Sequence, residues 1–210
     1  MRPTRLFAET ALPNGLASHQ LEALAWLRDR PVGLLADATG SGKTAVAAAT
    51  IAYAFDEEGA QRAIWVTEAN LVAQAVRELR RFLPTLRVSP WPGRKADQIK
   101  VISLETLTRH VGKVHQFAAH IGVIDDASIK GEGPEPAAVM SVMREMNRRL
   151  GLNATPVELD ATEAYRILRV LGAPDLPDES VFSSYMEWQD LPFGEQRPFA
   201  TRPEAGCCCR

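Results

Sequence analysis

The sequence predicts an α/β fold in which a mostly parallel sheet carries helices on both faces. Two observations predict it. Short runs that are apolar throughout alternate with longer amphipathic or alanine-rich runs, and a strand apolar on both sides has to be covered on both sides. The first such run also leads, through a glycine-containing loop, straight into a helical segment, the unit from which parallel sheets are assembled.

Residues 1–15, with Pro3, Pro13 and Gly15, show no period and read as an irregular lead-in. From Leu16, "LASHQLEALAWLRDR" sets Leu21, Leu24, Ala25 and Leu27 about one helical face, and Pro31 stops it. "VGLLA" (32–36) reads as a strand, and "KTAVAAATIAYAF" (43–55) has the composition of a buried helix. "RAIWVT" (62–67) is a second strand, "NLVAQAVRELRRF" (70–82) an amphipathic helix, and "IKVISL" (99–104) a third strand followed by a helical stretch over 105–110. "IGVIDD" (121–126) follows as a strand, "AAVMSVMREMNRRL" (137–150) as a helix, and "TPVELD" (155–160) as a further strand. Then come a helix "EAYRILRVL" (163–171), the proline-studded "GAPDLPDES", and a short helix "VFSSYMEW" (181–188). Residues 189–210 have no hydrophobic period and read as a disordered tail, which leaves one domain over 16–188.

Composition narrows the class without naming a function. Basic and acidic residues number 24 and 26, for a net charge of -2, so any contact with a polyanion has to be local. No run reaches the roughly 20 apolar residues of a membrane span, and the first ten residues lack the apolar core of a secretory signal. The three cysteines are adjacent, Cys207 to Cys209, which gives no disulfide framework and a poor wrap for a tetrahedral ion. A cytoplasmic protein is the expectation.

"DATGSGKT" carries the chemistry. Its eight residues, Asp37, Ala38, Thr39, Gly40, Ser41, Gly42, Lys43 and Thr44, lie between a strand and a helix, where backbone N–H groups and the positive end of the helix can cradle phosphates. The glycines permit close approach, Lys43 reaches the outer phosphates, and the Thr44 hydroxyl suits a magnesium ion. Asp37 stands where the general phosphate-loop pattern has its first glycine. Magnesium needs a second carboxylate at the end of another strand, and hydrolysis needs one to orient water. Asp125 and Asp126 answer those needs, unless the pair simply caps the next helix.

These segments resemble the first RecA-like lobe of superfamily 2 helicases and translocases, most closely the SNF2 group. "HQLEALAWL" is similar to the family's adenine-reading segment, whose glutamine falls on Gln20. "LADATGSGKT" resembles its first ATPase motif, in which Asp at the Asp37 position is usual. "IWVTEANLVAQAVRELRRF", "VISLETLTRH", "VIDDASIKG" and "VELDATE" resemble the motifs that follow, in the family's order. The resemblance implies a RecA-like P-loop NTPase fold, ATP with Mg2+ as cofactor, and double-stranded DNA as partner. Lys43, Asp125 and Asp126 take the catalytic positions, with Thr44 and Asp125 at the metal. It also implies a second RecA-like lobe, which this chain is expected to lack and a separate chain to carry, and which supplies arginines worth about 10³ to 10⁵ in rate.

Departures from the family pattern point to slow hydrolysis. Asp126 replaces its glutamate, and the shorter side chain displaces the attacking water by roughly 1 Å, worth on the order of 100-fold. Ser128 replaces its histidine, and Asp160 with Glu163 stand in its coupling motif. Two functions stay open: the ATPase half of a DNA translocase, or a degenerate nucleotide- or DNA-binding module. Other features are weaker. His110, His115 and His120 recur at a spacing that puts no two on one helical face. Arg77, Arg80 and Arg81 read as a solvated helix face ahead of a phosphate contact, "GRKADQIK" (93–100) as either, and Trp26 and Trp65 as core.

Overall fold

The structure is a computed structural model, and it describes residues 6–7, 15–37, 39–125, 134–153, 161–174, 176–182 and 207–208. The elements in chain order are α1 (Ser18–Arg28), β1 (Val32–Ala36), α2 (Lys43–Glu57), β2 (Ala63–Thr67), α3 (Val72–Phe82), β3 (Val88–Pro90), β4 (Ile99–Ser103), α4 (Leu104–Arg109), α5 (Val111–Phe117), β5 (Ile121–Asp125), α6 (Pro134–Met143), β6 (Arg148–Asn153), α7 (Ala161–Leu171) and β7 (Cys207–Cys208). They form one sheet of order β3-β4-β2-β5-β6-β1-β7, and every pairing within it is parallel.

Two apolar cores explain the layering. Strand residues alternate between faces, so Leu35, Trp65, Val101, Val123 and Leu152 join α1, α2 and α3 in one core. Leu34, Ile64, Val66, Ile102 and Ile124 join α4 to α7 in the other. Alanine does particular work in α2, where Ala47, Ala48 and Ala52 are fully buried and their small side chains let the helix lie close to the sheet. Because all strands are parallel, their C-terminal ends share one edge, the edge at which open α/β sheets bind ligands.

One stretch departs from the sequence reading. The helix expected over 137–150 ends at Met143, and the chain re-enters the sheet as β6 at Arg148. The strand therefore lies at "RRLGLN", ahead of the expected "TPVELD", whose residues fall outside the described ones. Arg148 and Arg149 fall within the expected helix, but they open a strand, and Arg148 is only 5% exposed. Its guanidinium donates to the carbonyls of Leu27, Arg28 and Arg30 and pairs with Glu58. A buried charge is tolerated only when it is paired and its donors are satisfied, and here these bonds tie the ends of α1 and α2 to β6. Two small elements, β3 and α5, were also not anticipated. Of residues 189–210 only Cys207 and Cys208 are described, level with Leu34 and Leu35 of β1. Among the described residues no helix is long and apolar enough to cross a membrane.

Candidate nucleotide site at the C-terminal sheet edge

The loop after β1 is shaped by two glycines. Gly40 and Gly42 both have φ of 83°, a left-handed conformation that costs an L-residue about 1–2 kcal/mol. Gly42 is the N-cap of α2, its carbonyl accepting from Ala45 N at 2.9 Å and Val46 N at 3.2 Å. The first N–H groups of such a helix have no intrahelical acceptor and carry partial positive charge. Lys43 and Thr44 begin α2, so their side chains and this helix end lie together.

Gln20 braces the loop from α1. It is 8% exposed, its Nε2 donates to Ser41 O at 2.9 Å, and its Oε1 accepts from Ala17 N at 2.9 Å. His19 Nε2 lies 3.2 Å from the same Ser41 carbonyl. A Cβ on Gly42 would land on Gln20 Nε2, whereas one on Gly40 would meet nothing. Gln20 keeps a second amide N–H and a second lone pair for a further partner. Lys43 Nζ donates to Asp37 O at 2.7 Å, which folds the ammonium back over the loop. Ser41 Oγ is buried with no partner among the described residues.

Asp125 closes β5 at the same edge. It is half-buried, and its backbone pairs with Leu152 of β6, which in turn pairs with Leu35 of β1. Alternation with Ile121 and Val123 puts its side chain on the face that α2 covers. There its Oδ2 accepts from the indole Nε1 of Trp65 at 3.2 Å. Thr67 and Ser103, the last residues of β2 and β4, are directly paired. Ser103 caps α4 through Thr106 N at 3.2 Å, while Thr67 Oγ1 is buried with no partner among the described residues.

The sequence-predicted residues Gln20, Asp37, Gly40, Ser41, Gly42, Lys43, Thr44 and Asp125 thus lie along one edge of the sheet. Ala38, next to Thr39 in the loop, and Asp126, expected to orient water, lie outside the described residues. A phosphate chain with a hard cation fits what is present: a loop with glycine-dependent curvature, a helix N-terminus, an ammonium, and oxygen donors from Thr44 and Asp125 of the kind magnesium prefers. The sequence does not mark Trp65 as a neighbour of Asp125. A tryptophan in an apolar run signals core, and only the register between β2 and β5 reveals what its N–H meets.

The weaker candidates are placed elsewhere. Arg80 donates to Val88 O at 2.8 and 3.0 Å and so joins α3 to β3, while Arg77 and Arg81 are exposed. In "GRKADQIK", Asp97 accepts from Ser89 Oγ at 2.7 Å and from Arg94 N, and Lys100 packs over Trp91 and Phe117. Burial pushes the Asp97 carboxyl up, but the bonds from Ser89 and Arg94 and the charge of Lys100 outweigh it and hold it below its ordinary value. Burial pulls the Lys100 ammonium down, against the opposing pull of Asp97. His115 Nδ1 lies 2.6 Å from Glu145 Oε2, and His120 Nδ1 is 3.5 Å from Gln61 N.

Comparison with known proteins supplies the family. A family model described as the SNF2-related domain matches residues 19–202. Among curated proteins of Arabidopsis thaliana, the ISWI chromatin-remodeling complex ATPase CHR17 is 28% identical over 209 residues, covering 88% of this chain and 19% of that protein. The ATP-dependent helicase BRM is 27% identical over 203 residues, covering 87% of this chain and 9% of that protein. The chain therefore spans at most 19% of the length of either relative. Among solved structures, the Sulfolobus solfataricus SWI2/SNF2 ATPase core in complex with dsDNA superposes with a TM-score of 0.72 at 20% identity, over 93% of this chain and 43% of that one. At that identity the likeness speaks to the fold, which is the RecA-like arrangement of the ATPase core.

Proposed function

The chain belongs to the SNF2-related domain family, and from that premise we propose that residues 16–188 are the ATP-binding lobe of a DNA-dependent ATPase. The observation that carries the reading is the meeting, at one sheet edge, of the glycine-shaped loop, the N-terminus of α2 and the Asp125 carboxylate on the face α2 covers. Backbone N–H groups of Gly40 to Thr44 hold the phosphates. Lys43 leaves the Asp37 carbonyl to neutralise the outer phosphates, and Gln20 offers its unused amide valences to adenine. Thr44 and Asp125 hold magnesium, which when bound neutralises charge on the phosphates. Asp126 orients water, at a distance its short side chain makes unfavourable.

Duplex DNA is the proposed partner, and a second RecA-like lobe is proposed to complete the cleft with its arginines. The name of the Sulfolobus solfataricus core in complex with dsDNA and those of the plant ATPase and helicase support this reading. A rival reading, a binding module without turnover, is favoured by Asp126, Ser128 and Asp160 standing at family positions that normally hold other residues.

Steady-state ATP hydrolysis with and without duplex DNA decides between them, using wild type, Lys43→Ala and Asp126→Glu. DNA-stimulated turnover that Lys43→Ala abolishes and Asp126→Glu raises by up to about 100-fold supports the ATPase. ATP binding by wild type and Asp126→Glu, with no turnover in any variant, supports the binding module. Turnover unaffected by Lys43→Ala refutes both.

A further inference from the structure

Trp65 is fully buried, and among the described residues it aims its polar atom at the proposed metal carboxylate. It sits in the middle of β2, level with Val123 of β5 and therefore two residues short of Asp125. Side chains two apart on a strand share a face, so the indole reaches diagonally across to the neighbouring strand and its Nε1 meets Asp125 Oδ2 at 3.2 Å. Trp65 is 0% exposed, within the core shared with α2, and cannot turn away without repacking that core. Indole nitrogen is a donor only. A rigid donor on one carboxylate oxygen restrains the orientation of the whole group.

We propose that Trp65 is a positioning residue for magnesium: its indole N–H holds Oδ2 of Asp125 so that Oδ1 is presented to the cation beside Thr44. The inference rests on the magnesium–nucleotide reading of the site and deepens it. An outer-shell donor of this kind is typically worth 10- to 100-fold in metal affinity.

The test is a magnesium titration of the full chain at fixed concentration of a fluorescent ADP analogue, with binding in EDTA as the baseline. Wild type, Trp65→Phe, Asp125→Asn and the double variant are compared. Trp65→Phe is expected to raise the magnesium concentration at half-effect by about 10-fold, to leave EDTA binding unchanged, and to add nothing in the Asp125→Asn background. An unchanged midpoint overturns the proposal, as does a shift of equal size with Asp125 already replaced, because that is the behaviour of a packing defect. A wild type indifferent to magnesium overturns the underlying reading of the site, and the proposal with it. Should Trp65→Phe fail to fold, the assigned Trp65 indole N–H resonance of wild type is followed as magnesium is added to the ADP-saturated chain. Movement of that resonance supports the proposal, and its indifference overturns it.

Discussion

Gly40→Ala and Gly42→Ala place the same methyl group on the same backbone conformation, φ of 83°, two residues apart, and should differ in cost for one reason only. At Gly40 the new Cβ meets nothing, so the loss is that of a left-handed L-residue, about 1.5 kcal/mol. At Gly42 it lands on Gln20 Nε2, and Gln20 must swing away, giving up its bonds to Ser41 O and from Ala17 N. Two such bonds are worth about 1 kcal/mol each net, which brings the loss at Gly42 to about 3.5 kcal/mol. For a chain of this size 1 kcal/mol moves Tm by about 2–4 °C, so drops of about 4 °C and about 10 °C are expected. Thermal unfolding without nucleotide measures both. In a Gln20→Ala background the obstacle is gone and the two substitutions should cost the same. Equal losses in the wild-type background, or a difference that survives Gln20→Ala, would refute the brace between α1 and the loop.

Other expectations follow from the same contacts. Arg148→Met leaves the carbonyls of Leu27, Arg28 and Arg30 and the Glu58 carboxylate without their donor; with Glu58 partly exposed, the loss in urea unfolding should be about 3 kcal/mol. Gln20→Ala should weaken ATP more than it weakens inorganic triphosphate in equilibrium binding, because the amide is assigned to the base. The depressed Asp97 carboxyl contributes stability above its unfolded pKa of about 3.9, and that stability is lost as pH falls through the lower folded value. Asp97→Asn should therefore flatten the acid limb of a stability–pH curve and leave its neutral region parallel to wild type.

Much of this molecule is legible in its sequence because its punctuation is local. Val32 to Ala36 is bounded by Pro31 and the glycine loop, and β1 occupies those residues; Lys43 opens α2 because Gly42 supplies the left-handed turn before it. Legibility fails where a long-range partner overrides a local signal. Arg148 and Arg149 fall at the end of a helical pattern, and only distant partners make a strand of that segment: the ladders to β1 and β5, with Glu58 and three carbonyls taking up the Arg148 charge. The three-residue β3 is held by Arg80 and by pairing with β4, neither visible in "VSP" itself. For the site, the loop and Asp125 are readable as residue types with a chemical purpose. Trp65 is not, because its role depends on which residue of β5 lies beside it.

If the glycine loop and Asp125 form the proposed site, they bind ATP together. Calorimetric titration of ATP in magnesium into wild type, Lys43→Ala and Asp125→Asn tests it most directly. Wild type is expected to bind, Lys43→Ala to abolish that binding, and Asp125→Asn to weaken it only when magnesium is present. Equal affinity in all three would contradict it.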